Sequence, residues 1–559
     1  MSITTEFSRM ILSASGWRMV FSADGDENSM SEKLSREGSL ICTAVAAAFA
    51  GSFGLKKGDR ILLARDARPT GREICDITAR TLDYLGLDVR YAGICSAPET
   101  MAESAMGDYE AFYYVSASHN PAGHNGFKFG RKGGVFGQRE IAPAIELLRQ
   151  IIKDTDALEN LYSDARNAFS SEFPESSSLK RKSLTDYIRF ICETTCPGGG
   201  IDELRRQIVS KGIGICADLN GSARAVSVDR DYLSWMGFKT CFINDEAGKI
   251  AHGIIPEGKN LEDCKALLER LHAEDPDFVM GYVPDNDGDR GNVVYMANDG
   301  TAKVLLPQEV FALCVESVLR FSSSSGVKNL AVAVNGPTSM RIDSIASRYG
   351  AETFRAEVGE ANAVNLADSL REKGYSVPIL GEGSNGGNIT CPARVRDPMN
   401  TLMCLTRILL TDSIDSAFDK LPPYITTSAT DPRAILHLQT RDYRNLKKHY
   451  EELFPSEFDK KRDFFSEYGI VSWKEYQTEG IVERCEAGNG DKGGLKICFY
   501  NAEGENLGYI WMRPSGTEPL FRIICDVKGN GERSLSLHNF LIEWQKSLIL
   551  KAQACLSIS

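Results

Sequence analysis

The chain has 559 residues, 42% hydrophobic and 25% charged, the balance of a globular protein long enough to divide into about three to five domains. Its formal charge of −12 argues against nucleic acid as the main partner, because phosphate backbones reward basic surfaces. The 15 cysteines are scattered with no CxxC pair, and Cys192 and Cys196 have no second pair or histidine nearby, so reduced, buried thiols are expected rather than zinc or disulfides.

Along the chain, the apolar stretch 40–53 follows a polar, acidic leader rather than the basic start of a signal peptide. No run approaches the roughly 18 apolar residues of a membrane span. A cytoplasmic location with no membrane partner is the expectation. Short apolar runs at 61–64, 111–115, 214–217, 278–283, 330–334 and 377–380 read as buried strands, each followed by a glycine-rich turn and a helical pattern. This alternation predicts α/β units with mostly parallel sheets, whose ligands gather at the carboxyl ends of the strands. Four domains are expected: 1–200, 201–305 and 306–422 as consecutive α/β units, then 423–559 as an α+β domain with an antiparallel sheet. In that last part 495–500, 507–512 and 520–527 read as strands, and the charged region 443–479 as a helical insertion.

Four turns carry unusual residues. The first is Tyr114-Val-Ser-Ala-Ser118-His119-Asn-Pro-Ala-Gly-His-Asn-Gly-Phe-Lys128, which displays Ser118 just past a strand. A Ser–His dipeptide alone is no hydrolase dyad, and the Gly-x-Ser-x-Gly elbow is missing. The second is Asp285-Asn-Asp287-Gly-Asp289-Arg290, three alternate carboxylates able to converge on one hard cation. It is not an EF-hand: Arg290 replaces the turn glycine and Met296 the bidentate glutamate. The third is Gly381-Glu382-Gly-Ser384-Asn-Gly-Gly387, where Glu382 and Ser384 suit sugar hydroxyls. The fourth is Arg513-Pro-Ser515-Gly516-Thr517-Glu-Pro519, followed by Arg522, a receptacle for a dianionic phosphate without the Walker A ending.

In this order the four turns resemble the α-D-phosphohexomutase family of phosphoglucomutases, phosphomannomutases and phosphoglucosamine mutases. Ser116–Pro121 matches the family's serine loop, Asp285–Arg290 its metal loop, Gly381–Glu382 its sugar loop, and Arg513–Pro519 its phosphate loop. Ala14-Ser-Gly-Trp-Arg18 and Ala64-Arg-Asp-Ala-Arg-Pro69 agree with two lesser signatures. The resemblance implies a heart-shaped, four-domain isomerase around a central cleft. Ser118 would carry the phosphoryl group, and Asp285, Asp287 and Asp289 would hold Mg²⁺ against an oxygen on Ser118. A sugar 1,6-bisphosphate would be the intermediate, turning end for end before Ser118 takes back the other phosphate. Arg18, His119, Lys128 and Arg290 correspond to residues around the serine, with Lys128 a candidate general acid/base or charge stabiliser. Arg513, Ser515, Gly516, Thr517 and Arg522 would grip the unreacting phosphate.

Two departures bear on the sugar. The loop Glu357-Val-Gly359-Glu360 places acid where the phosphoglucomutase and phosphomannomutase branches often place Lys or His, so Glu360 could meet an amino sugar. The sugar loop resembles the Gly-Glu-Gly-Asn-Gly-Gly form of archaeal-type phosphoglucosamine mutases with a serine inserted. The substrate is thus a hexose or hexosamine phosphate, with phosphoglucomutase/phosphomannomutase the first expectation and phosphoglucosamine mutase the alternative. A non-catalytic sugar-phosphate-binding homologue and a phosphatase are the rivals from other classes.

Overall fold

The apolar runs 61–64 and 111–115 become parallel neighbours, strands Arg60–Arg65 and Ala111–Val115, with Asp88–Ile94 parallel on the outer side of the first. Both inner strands are apolar between their ends because helices cover both faces. Helix Arg36–Ala50 packs Leu40, Val45 and Phe49 against one face, and Ala97–Met106 covers the other with Ala97 and Met101. His124–Arg131 returns antiparallel along Ala111–Val115, and Gly16–Val20 pairs antiparallel beyond it. Lys128 therefore rises on the strand beside the one that delivers Ser118, and Arg18 on the next strand out.

This computed structural model describes residues 2–13, 16–383, 387–428, 431–480, 482–484, 493–515 and 519–556. The chain forms two compact units, one of 1–305 with 389–406 and the other of 306–388 with 407–559.

A second sheet in the first unit sets Gly214–Asp218 parallel to both Lys239–Ile243 and Phe278–Pro284. Phe278–Pro284 then turns back on Gly291–Met296 in an antiparallel hairpin whose register closes at Pro284 opposite Gly291. The three aspartates are the loop of that hairpin.

In the second unit, Leu330–Asn335 lies parallel to Glu352–Ala356 and Ser376–Gly381, as the runs 330–334 and 377–380 predict. The last sheet is antiparallel, running through Ser472–Glu479, Leu495–Tyr500, Asn506–Pro514 and Leu520–Lys528. Helices Tyr443–Asp459 and Glu532–Leu556 cover it over a core rich in aromatic residues, among them Phe454, Phe458, Phe465 and Phe499. Here the predicted helical insertion 443–479 needs correction. Its first part is helical (Tyr443–Asp459 and Arg462–Glu467), but Ser472–Glu479 is a strand. Charged residues hide its period of two: Trp473 packs on Phe454, while Tyr476 meets Tyr500 from the other face.

Among the described residues no helix is long and apolar enough to cross a membrane. The described cysteines are free thiols, most of them buried.

Candidate active site

Past Val115 the chain turns through Ser116, Ala117 and Ser118, and Ser118 sits in the left-handed region with φ +53°. For a residue with a Cβ that conformation costs on the order of 1–2 kcal/mol, so the surroundings must hold it. Ser116 supplies one restraint: its hydroxyl accepts the Ser118 N–H at 2.8 Å and donates to Asp287 Oδ2 at 3.0 Å. The Ser118 hydroxyl donates to Asp285 Oδ2 at 3.2 Å and is buried. The serine loop and the aspartate hairpin thus meet directly.

The hairpin is held from both sheets of its unit. Asp287 O accepts from Ala97 N at 2.7 Å, and Asn286 O from Ala223 N at 3.0 Å. Gly288 is required at the turn: its φ is +69°, and a Cβ there would meet Arg224 Cδ at 2.4 Å. Asp285, Asp287 and Asp289 are buried, with one carboxylate oxygen from each within 4.8 Å of the others. Lys128 Nζ donates to Asp287 Oδ2 at 2.6 Å and to Asp289 Oδ2 at 3.5 Å. Arg396 reaches Asp289 Oδ1 at 3.5 Å, and the Arg290 N–H donates to Asp285 Oδ1 at 3.2 Å.

The electrostatics follow from this crowding. Burial, then the neighbouring Asp287 and Asp289, push the Asp285 carboxyl well above the usual carboxylate range. Burial acts the same way on Asp289, but Arg396, Lys128 and Arg290 outweigh it and hold that carboxyl low. For Lys128 burial would lower the ammonium, yet Asp287 and Asp289 raise it, so it stays charged. His119 is driven down to about 2, first by the charge on Arg290 and then by burial and Arg18, and is a neutral imidazole. Arg18 is lowered by burial and by its neighbours Arg290 and Arg68, against the pull of Asp287. Asp287 Oδ1 is buried with no hydrogen-bond partner. Three clustered carboxylates, one keeping an unused buried oxygen, are a hard all-oxygen donor set that fits Mg²⁺.

In the second unit Glu382 follows strand Ser376–Gly381 and is buried. Its Oε1 accepts from Asn335 Nδ2 at 2.9 Å and from Gly359 N at 2.6 Å. Glu360 lies in the first turn of helix Glu360–Glu372, where a carboxylate is favoured by the helix's own dipole. Glu357 is the acid that reaches the phosphate loop. It is buried and lies 2.9 Å from Arg513 Nε, and its other oxygen accepts from Gly494 N at 2.6 Å and from Thr478 Oγ1. Arg513 and Arg522 face each other directly across antiparallel strands. Like charges so placed repel unless an anion lies between them.

The family model for phosphoglucomutase/phosphomannomutase, alpha/beta/alpha domain I, matches residues 14–156. A protein named phosphoglucomutase/phosphomannomutase from Thermococcus kodakarensis is 22% identical over 472 residues, 84% of this chain and 86% of its own length. A phosphoglucosamine mutase from Methanococcus maripaludis is 26% identical over 330 residues, 58% of this chain and 64% of that one. The matched share of such relatives runs from 63% to 97% of their lengths. The crystal structure of parafusin, a phosphoglucomutase from Paramecium, superposes with a TM-score of 0.66 over 97% of this chain and 94% of that one, a likeness of fold at 15% identity. Over residues 14–156 the chain is similar to the phosphoglucomutase/phosphomannomutase family, and over most of its length to relatives named as phosphohexomutases.

In this chain, Ser118, Lys128, Asp285, Asp287, Asp289 and Arg290 share one cluster, with His119 and Arg18 held in its field. Glu382, Arg513 and Arg522 are placed as described, and the Ser515 N–H donates to Leu520 O at 2.9 Å. Ser384, Gly516 and Thr517 lie outside the described residues, as do Ala14 and Ser15. Sequence reasoning missed Ser116, Arg396 and Glu357 as contacts of the site. Ser116 carried a signal, standing two residues before Ser118 in the same motif. Arg396 carried none and Glu357 stood only as part of an acidic loop, because their partners lie 107 and 156 positions away along the chain.

Proposed function

We propose that this chain is a phosphohexomutase that interconverts the 1- and 6-phosphates of a hexose, glucose or mannose, with Ser118 as the phosphate carrier. The observation that carries this is the Ser118 hydroxyl donating to Asp285 inside a buried three-carboxylate cluster. The hydroxyl donates to Asp285, and the neighbouring His119, held far down its titration range by Arg290 and burial, does not stand as its base. The arrangement suits a group that receives and returns phosphate, not one that attacks an acyl carbon.

Asp285, Asp287 and Asp289, with an oxygen on Ser118, would hold Mg²⁺, which when bound neutralises charge on the transferring phosphoryl group. The protein residues then have mostly positional work, because phosphoryl transfer passes through a loose transition state. Ser116 sets the Ser118 backbone. Lys128 is a fixed cation, a charge stabiliser and proton donor rather than a base. Arg18 and Arg290 add positive charge where the phosphoryl oxygens lie. As the phosphoryl group leaves Ser118, its Oγ–P bond breaks and a bond from the sugar oxygen to phosphorus forms; the proton the sugar hydroxyl gives up is matched by the one Ser118 Oγ takes up, giving the 1,6-bisphosphate and the free serine. Return of the other phosphate to Ser118 closes the cycle. Glu382 and Ser384 would hold ring hydroxyls, and Arg513, Ser515, Gly516, Thr517 and Arg522 the unreacting phosphate. Glu357 fixes Arg513 from behind.

Glu357 pairs with Arg513 and Glu360 stands in the first turn of its helix, and the amino-sugar reading of Glu360 remains the alternative. The names of the relatives favour phosphoglucosamine mutase as a second reading. The test is isomerisation of glucose 1-phosphate, mannose 1-phosphate and glucosamine 6-phosphate, with catalytic bisphosphate and Mg²⁺, scored against phosphate release. We expect isomer formation, highest kcat/KM on a neutral hexose, and loss of rate on chelation. Phosphate release without isomer would make the protein a phosphatase. Preference for glucosamine 6-phosphate would install the second reading.

A further inference from the structure

Arg68 stands two residues past Asp66, beyond the tip of strand Arg60–Arg65, and is buried. A guanidinium carries five N–H donors in a planar fork. Here the fork is spent on the serine loop and its anchor. Nε donates to Asp66 Oδ2 at 3.1 Å. One terminal nitrogen donates to the carbonyls of Ser118 and Asn120, both at 2.6 Å. The other donates to those of Pro121 and, at 3.0 Å, His124. Asp66 is fixed in turn: its Oδ1 accepts the Arg68 N–H, and its own N–H donates to Val115 O, both at 3.0 Å. The tips of two adjacent parallel strands are thereby locked together beneath the loop that displays Ser118.

We propose that Arg68 is the positioning residue of the serine loop. It gathers four loop carbonyls on one cation, holds Ser118 in its left-handed conformation, and so sets the hydroxyl against Asp285 without touching the sugar phosphate. The inference rests on Ser118 being the phosphate carrier. Lysine cannot replace arginine here, because an ammonium has three donors and no planar fork.

The test compares the wild type with Arg68→Lys and with Arg72→Ala, an exposed arginine whose ion pair is to Glu172. Three readouts are taken: kcat and KM for isomerisation, the rate at which Ser118 takes phosphate from a hexose 1,6-bisphosphate, and amide exchange over 116–126. Arg68→Lys should lower kcat and the loading rate about 100-fold, the scale of a misplacement near 1 Å. KM should stay within about threefold, since ground-state contacts are untouched. Exchange should quicken in 116–126, and Arg72→Ala should match the wild type throughout. A folded Arg68→Lys with unchanged kcat per molecule overturns the proposal, leaving Arg68 a structural arginine. A raised KM with unchanged kcat also overturns it, by making Arg68 a substrate contact. If Arg68→Lys does not fold, Asp66→Asn removes the charge anchor and keeps the shape; unchanged loop exchange and kcat there would refute the positioning role. A wild type that isomerises no hexose phosphate would sink the carrier reading instead, while the exchange rates still decide whether Arg68 orders the loop.

Discussion

Ser116 shows how much a single hydroxyl is asked to do. Its hydroxyl accepts the Ser118 N–H and donates to Asp287, so it couples the Ser118 backbone to the acidic cluster. A hydrogen bond to a charged group contributes roughly 1.5–3 kcal/mol. Ser116→Ala should therefore lower kcat by about 10- to 100-fold with the fold intact, as near-ultraviolet dichroism and steady-state kinetics would report. Unchanged kcat would mean that Ser118 is held without it. At this scale the sequence was legible only in part. Ser118 and the aspartates announce themselves because each motif is local: a polar turn after an apolar run, and carboxylates on alternate residues. Arg396 and Glu357 do not, because their significance arises from partners on distant strands. Glu360 stays open on sequence alone, because an acid beside the expected substrate and an acid in the first turn of its own helix look alike in one dimension.

At the scale of elements, strand period was readable wherever burial was two-sided, as in Ala111–Val115 and Leu330–Asn335. It failed at Ser472–Glu479, where lysine and glutamate on a partly exposed strand resemble a helix surface. That strand carries an unusual contact with helix Tyr443–Asp459. Glu451 on the helix and Glu475 on the strand approach each other around Gln477. Burial, and then the charge on Glu475, push the Glu451 carboxyl from 4.5 up to about 8. The folded state thus binds a proton that the unfolded chain releases above 4.5, and stability falls as pH rises from 4.5 to about 8. Glu451→Gln should remove that slope. Its Tm should exceed the wild type's at pH above 8, with the difference closing toward pH 4.5. A difference independent of pH would show that the helix–strand contact does not depend on this proton.

Across the molecule, the order of sheets follows the chain: two in the first unit, then a parallel and an antiparallel sheet in the second. The serine and aspartate motifs fall on loops at strand ends, where a local motif is readable in one dimension. An overall charge of −12 is compatible with binding phosphate because cations are concentrated locally, as Arg18, Arg68, Lys128, Arg290 and Arg396 are around Ser118. The central claim is that Ser118 carries the phosphate. It is tested most directly by incubating the protein with glucose 1,6-bisphosphate and Mg²⁺ and locating the transferred phosphate by peptide mass spectrometry. One phosphate on Ser118, lost again on adding excess hexose monophosphate and absent in Ser118→Ala, is the expected result. Phosphate on any other residue, or isomerisation that survives in Ser118→Ala, would contradict it.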